Sequence, residues 1–240
     1  MHSKTPRDER TYLGSLMYNK RMHYFASRQA AGDLLADQLE PRYRFEDCAV
    51  VALGDGAVVV GAQIAARLHC VLTLLLTAPI RLAGETDVVA AVNQEGSMTY
   101  DDMYSAGQLE EIKAENFNYL EGQKLEKVFE MNRLLGDGGL ISKDLLQGRN
   151  IILVSDGLAN GLSLAAAVEF LKPVQFKRLI VATPFASVLA VDKMHILADE
   201  IACLNVLEDL FPTDHYYENN KLPSHEKIVE IIENIILHWK

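Results

Sequence analysis

IILVSDGLANGLS, residues 151–163, runs four apolar residues into the polar pair Ser155 and Asp156. Gly157 and Gly161 then bracket Leu158, Ala159 and Asn160, and Leu162 and Ser163 open an apolar stretch. This reads as a buried strand that empties through a glycine-rich turn into a helix. Such a turn lets backbone N–H groups converge on an anion at the helix N-terminus. Ser163 can add a hydroxyl and Asn160 an amide. Asp156 does not favour a phosphate directly, but it can accept hydrogen bonds from sugar hydroxyls or hold a hydrated Mg2+. An ordinary βα turn capped by Ser163 or Asn160 has the same pattern.

Downstream the pattern is regular: a strand at 150–154, a helix near 162–171, a strand at 179–183, a helix at 188–197 and a strand at 200–206. That alternation predicts a parallel sheet built from crossover units. Upstream, DCAVVAL (47–53) reads as a buried strand, GDG breaks it, AVVVGAQIAARL follows as a helix, and CVLTLLL is a second strand. Residues 88–92 and 97–99 suggest a hairpin-like element around Gly96. Residues 20–40 predict an amphipathic helix with Phe25, Leu34, Leu35 and Leu39 on one face. Residues 107–135 predict a long polar helix, broken near Gly122 and stopped by GDGG at 136–139. Its apolar stripe is Leu125, Val128, Phe129 and Leu135. Pro223 and Ser224 open a last helix whose buried face is Ile228, Ile231, Ile232, Ile235 and Trp239. The expectation is an α/β fold with a doubly wound, mostly parallel sheet, an added N-terminal helix and a long helical insertion. It treats residues 1–240 as one domain, with 207–240 as a C-terminal hood and helix.

Apolar residues make up 49 % and charged residues 23 % of the 240, as expected of a soluble globular protein. The net charge of −10 argues against DNA as a partner, because phosphate backbones need Lys and Arg neutralisation. Any polyanionic ligand must be held by local donors against the average field. The first residues carry charges without an apolar signal core, and no apolar run reaches a membrane span, so a cytoplasmic protein without membrane contact is expected. Cys48, Cys70 and Cys203 sit in apolar segments without zinc-like spacing and read as buried thiols.

IILVSDGLANGLSLAAAVEFL resembles the phosphoribosyl-diphosphate motif of type I phosphoribosyltransferases: an apolar run, two acids, then a small loop with Thr-Gly and a final Thr or Ser. VVALGDGAVVVGAQIAARL is similar to their first strand, diphosphate loop and helix. GETDVVAAVNQEGSMTY is similar to their flexible-loop region, and RLIVATPFASVLAVDKMHILADEIACLNV to the following strand, helix and strand. HYYENN falls where stand-alone members carry an aromatic near the end. The resemblance covers about residues 25–105 and 145–235.

The resemblance implies roles residue by residue. Ser155 takes the place of the first motif acid and Asp156 that of the second, the pair that binds the ribose hydroxyls. Gly157, Leu158, Ala159, Asn160, Gly161, Leu162 and Ser163 occupy the 5′-phosphate loop, with Asn160 in the usual Thr position. Gly54, Asp55 and Gly56 occupy the diphosphate loop. Asp55 would repel a diphosphate about 5 Å away by roughly 3 kcal/mol at an effective dielectric near 20, and a bridging Mg2+ would reverse that sign. Asp156 and Asp55 are therefore the candidate metal ligands, with Mg2+ as cofactor. Asp156 and Arg81 are the candidate catalytic residues, Arg81 as the cation for the departing diphosphate. The implied ligands are phosphoribosyl diphosphate or a nucleoside monophosphate. The implied function is a transferase of phosphoribosyl from its diphosphate to a base, or a catalytically inactive relative that serves as a nucleotide- or phosphosugar-binding regulator or as a protein-interaction module. His215, Tyr216 and Tyr217 are candidates for a ligand-facing lid. The 107–135 helix is a candidate homo-oligomer contact or site cover.

Overall fold

The computed structural model describes residues 24–85, 87–135, 143–208 and 210–239. The chain runs β1 (Phe25–Ser27), α1 (Arg28–Tyr43), β2 (Cys48–Leu53), α2 (Asp55–Leu68) and β3 (Val71–Leu75). An antiparallel ribbon follows, β4 (Thr77–Arg81), β5 (Val88–Asn93) and β6 (Met98–Tyr100), and then α3 (Ala106–Leu135). The second half is β7 (Asn150–Val154), α4 (Leu162–Leu171), β8 (Arg178–Ser187), α5 (Val188–Leu197), β9 (Glu200–Leu207), β10 (Tyr217–Asn219) and α6 (His225–Glu233).

Five strands form one parallel sheet in the order β3-β2-β7-β8-β9. Its central strands are mostly apolar, β2 throughout, because both faces are covered. Val50, Ala52, Ile152, Val154, Ile180 and Ala182 point into the core shared with α1, α2 and α6. Their neighbours Ala49, Val51, Ile151, Leu153, Leu179 and Val181 point into the core under α4 and α5. This period-two division is what a doubly wound α/β sheet requires. No helix among the described residues is long and apolar enough to cross a membrane.

Several local expectations change. The first helix starts at Arg28, where the Ser27 hydroxyl caps it by accepting from the Ala30 amide at 3.2 Å. Phe25 lies instead on β1, paired in parallel with β10, and residues 20–23 lie outside the described residues. The buried face of α1 holds Ala31, Leu35, Ala36 and Leu39, while Leu34 is exposed. The α3 helix is continuous through Gly122 and kinks at Asn116, whose side-chain amide donates to the Ile112 carbonyl at 3.1 Å. Leu120 and Met131 are its buried residues, and Leu125 and Phe129 face solvent. The GDGG stop lies outside the described residues. In the last segment Ile228 and Ile235 are buried, whereas Trp239 is exposed and stacks on His69. Burial pushes the thiols up, Cys48 to about 11 and Cys70 and Cys203 to about 12, so all three are inert near neutral pH.

Candidate functional site

β2 and β7 are adjacent, with Ala52 beside Val154, so the loops leaving their carboxyl ends open side by side. After β2 the chain turns toward β3, and after β7 it turns the other way, toward β8 and β9. Ligands of open parallel sheets bind in the crevice that such a reversal leaves. The 54–56 and 155–163 loops flank it.

The second loop is anchored from within. The Ser155 hydroxyl accepts from the Gly157 amide at 3.2 Å and donates to the Gly157 carbonyl at 2.9 Å. Leu158 is bound to β8: its amide donates to the Phe185 carbonyl at 3.1 Å and its carbonyl accepts from the Ser187 amide at 2.9 Å. The Ser187 hydroxyl donates to the Ala159 carbonyl and caps α5 through the Ala190 amide. Asn160 Oδ1 accepts from the Leu162 amide at 3.1 Å. Gly161, at φ +70, precedes α4 without any side-chain cap, a left-handed conformation that favours glycine. The amides of Ala159, Asn160, Gly161, Ser163 and Leu164 are thus left without internal partners among the described residues. They gather at the positive end of α4. Beside them a cavity of about 200 Å³ separates Asn160, Leu162 and Ser163 from Thr77, Pro79 and Val88 of the ribbon. Arg81 is exposed on β4, two residues beyond Pro79 and paired in register with Val88. A larger cavity of about 290 Å³ opens where β7 and β8 begin, at the other end of the sheet, lined by Arg42, Tyr43, Asn150 and Arg178 among others.

Asp156 does not face the crevice as a free carboxylate. Arg28, only 4 % exposed, donates through Nε to Asp156 Oδ2 at 2.7 Å and through Nη2 to Asp214 at 2.5 Å. Its guanidinium also lies 4.5 Å from the centre of the Tyr217 ring, and the Tyr217 hydroxyl donates to the Asp156 carbonyl at 2.6 Å. Burial pushes the Asp156 carboxyl up, and the Arg28 hydrogen bond and charge only partly offset that. Tyr216 and Tyr217 are buried with Phe25 and Phe185, so they form the packed roof of this clamp rather than an open lid. His215 bonds to the Tyr24 hydroxyl at 3.0 Å.

Residues 23–218 match the family model for the phosphoribosyl transferase domain. The chain belongs to that family. Two Mycobacterium tuberculosis proteins, from strains CDC 1551 / Oshkosh and ATCC 25618 / H37Rv, carry names that propose a phosphoribosyl transferase. Each is 24 % identical over 219 residues, spanning 88 % of this chain and 47 % of the relative. The phosphoribosyl transferase domain described here therefore spans about half the length of these curated relatives. The crystal structure of TT1426 from Thermus thermophilus superposes with a TM-score of 0.65 at 26 % identity, covering 90 % of this chain and 99 % of that one.

In this phosphoribosyl transferase domain the first loop is held by distant segments. Asp55, the first residue of α2, accepts from His225 Nδ1 at 3.1 Å, and His225 Nε2 lies 2.8 Å from the Leu134 carbonyl. Both ring nitrogens face acceptors, an arrangement that favours the doubly protonated ring. Burial works against that charge, and the Asp55 hydrogen bond and charge outweigh it, raising the His225 pKa. A raised histidine contributes stability that is fully present below its unfolded pKa of about 6.5 and is lost as pH rises through the folded value. We expect His225→Ala to cost about 1 kcal/mol at pH 6 and less at pH 9, where the neutral ring no longer pairs its charge with Asp55. Urea denaturation at the two pH values checks this; an equal cost at both would contradict a charged ring.

These pairings bear on Mg2+. A hard dication needs open oxygen ligands, yet the Asp156 carboxylate accepts from a guanidinium and that of Asp55 meets the His225 ring. The Arg28 charge, and that of His225 when protonated, would repel Mg2+ from the oxygens they meet. Among the described residues no three His, Cys, Asp or Glu side chains gather to hold a metal ion. The residues present do not fit a protein-held Mg2+.

Arg28, Asp214 and His225 escape sequence reasoning because their partners lie 128 to 186 positions away. Arg28 does leave a trace. It is a cation in the first turn of α1, where no acid stands and the helix dipole disfavours positive charge. A local rule broken in this way marks a residue held by tertiary partners.

Proposed function

We propose that this phosphoribosyl transferase domain binds the phosphate of a ribose 5-phosphate unit on the amides of residues 159–164. The observation that carries this reading is the set of unpartnered amides at the uncapped start of α4, in the loop whose Asn160 and Ser163 line the cavity. Backbone capture of a phosphate needs no particular side chain, so it tolerates Asn160 in a Thr position. The ribose would extend toward the 54–56 loop, and a base toward the ribbon. A nucleoside 5′-monophosphate is the ligand this arrangement suits best, because nothing in the 54–56 loop supplies a cation for a diphosphate.

The second reading is transfer of phosphoribosyl from its diphosphate to a base. It is favoured by Arg81, whose neighbours Pro79 and Val88 line the cavity. In that reaction the base forms a bond to C1′ as the C1′–O bond to diphosphate breaks, and Arg81 would stabilise the departing charge.

Calorimetry with nucleoside 5′-monophosphates and with phosphoribosyl diphosphate, each with and without Mg2+, separates the readings. We expect monophosphate binding that does not need Mg2+. Gly161→Val should weaken it about tenfold or more, since a β-branched residue resists positive φ and its side chain would meet the Lys193 stem. Mg2+-dependent binding of the diphosphate with pyrophosphate release would favour transfer. Failure of both ligands to bind would end the phosphate reading.

A further inference from the structure

A phosphate on the amides of residues 159–164 brings negative charge to a chain whose net charge is already −10. A cation within reach of those amides therefore decides how firmly it is held. Arg28 is committed to Asp156 and Asp214. Lys193, on α5, is placed differently. A Cβ added at Gly161 would fall 3.1 Å from both Cβ and Cδ of Lys193, so the lysine stem lies along the turn that opens α4. The ammonium, two bonds beyond Cδ, is 2.9 Å from Asp102 Oδ1 and 3.4 Å from Asp101 Oδ1. The Asp101 amide donates to the Val89 carbonyl at 2.9 Å, and Val88 lines the cavity together with Asn160 and Ser163. The Lys193 side chain thus spans from the phosphate loop to the ribbon.

An ammonium has three N–H donors. Two meet Asp101 and Asp102, and the third has no partner among the described residues. The two carboxylates are unequal. That of Asp101 is 3 % exposed and also accepts from the Met103 amide at 3.1 Å, so it is a fixed anchor. That of Asp102 is 71 % exposed, and an ion pair so open holds weakly.

We infer that Lys193 is a ligand of the phosphate, donating its remaining N–H to a phosphate oxygen while Asp101 holds the ammonium at the loop. The inference rests on the proposed phosphate site. Asp102 opposes binding, because it puts a second negative charge on the same ammonium. Its side chain is open enough to turn to solvent when the phosphate arrives.

The test is calorimetric titration of the full chain and two variants with ribose 5-phosphate, without metal. A charge-assisted hydrogen bond is worth about ten- to a hundredfold in affinity. Lys193→Gln, which keeps an N–H for Asp101, should therefore weaken binding about tenfold or more. Asp102→Asn should tighten it about threefold, because it removes the repelling charge. A merely structural tie between α5 and the ribbon predicts otherwise: both variants would break the same tie and weaken binding together. Parallel weakening, or unchanged affinity in Lys193→Gln, overturns the inference and leaves the phosphate site standing. If the wild-type chain does not bind ribose 5-phosphate, the phosphate site falls and the inference with it. Should Lys193→Gln not fold, Asp102→Asn decides: tighter binding supports the inference, and unchanged or weaker binding overturns it.

Discussion

Arg28→Met is expected to lower the unfolding free energy by about 3–5 kcal/mol at pH 7, the cost of breaking one side of a buried ion pair. The guanidinium is buried and holds Asp156 and Asp214 at once, while Asp156 is only 18 % exposed. Methionine fills similar volume, so the loss would be mainly electrostatic. The pH dependence follows in sign. With Arg28 present, burial already pushes the Asp156 carboxyl up, and the guanidinium is what restrains it. Without Arg28 the folded carboxyl rises further above its unfolded value of about 3.9. The variant's deficit is then largest at neutral pH and shrinks as pH falls through the folded titration. Urea midpoints of wild type and variant between pH 7 and pH 4.5 test this. A deficit that stays constant over that range would mean that Asp156 is not the group left unpaired.

Gly56→Ala carries the second large effect, and its sign runs against helix propensity. In the first turn of a helix such as α2, alanine normally stabilises relative to glycine. Here the new Cβ would lie 2.1 Å from Asp156 Oδ2 and 3.0 Å from Arg28 Nε. The carboxylate has to leave its partner or the two loops have to separate, at about 1–3 kcal/mol. Because both substitutions act through one ion pair, Arg28→Met and Gly56→Ala should be clearly less than additive in a double-mutant cycle. Full additivity would show that the two loops are independent. The alanine variant should also bind a sugar phosphate more weakly, since the crevice between the loops widens.

The sequence carries the sheet plainly because burial on both faces leaves continuous apolar runs. The β7 strand, its glycine turn and α4 can be read directly from IILVSDGLANGLS, and the flanking crossover units follow from alternation. The β4 strand is harder to see. TAPIR follows β3 after one residue and contains Pro79, which reads as a break, although an edge strand tolerates proline. The exposed Leu125 and Phe129 on α3 show the limit of an apolar stripe as evidence of burial, since nothing in the local pattern says which face meets the core. At the site, the position of Asp156 is legible and its state is not. Spacing shows a carboxylate at the end of a strand, but whether it is free depends on Arg28, a residue 128 positions earlier. The same holds for Asp55, which reads as an exposed repulsive charge until His225, 170 positions later, is brought beside it.

The pairing of β1 with β10 sets a schedule for the growing polypeptide. Arg28 finds its contact with the Asn220 carbonyl 192 positions further along the chain. At about 5–20 residues per second of translation, that partner arrives roughly 10–40 s after Arg28 is made. The parallel sheet can assemble in the meantime, since its strands and crossovers are complete by Leu207. The roof over Asp156 cannot, because Asp214, Tyr216 and Tyr217 come after Leu207 in the chain. A nascent chain thus carries every strand of the parallel sheet before it carries Asp214, Tyr216 and Tyr217, and the clamp on Asp156 closes only after they are made.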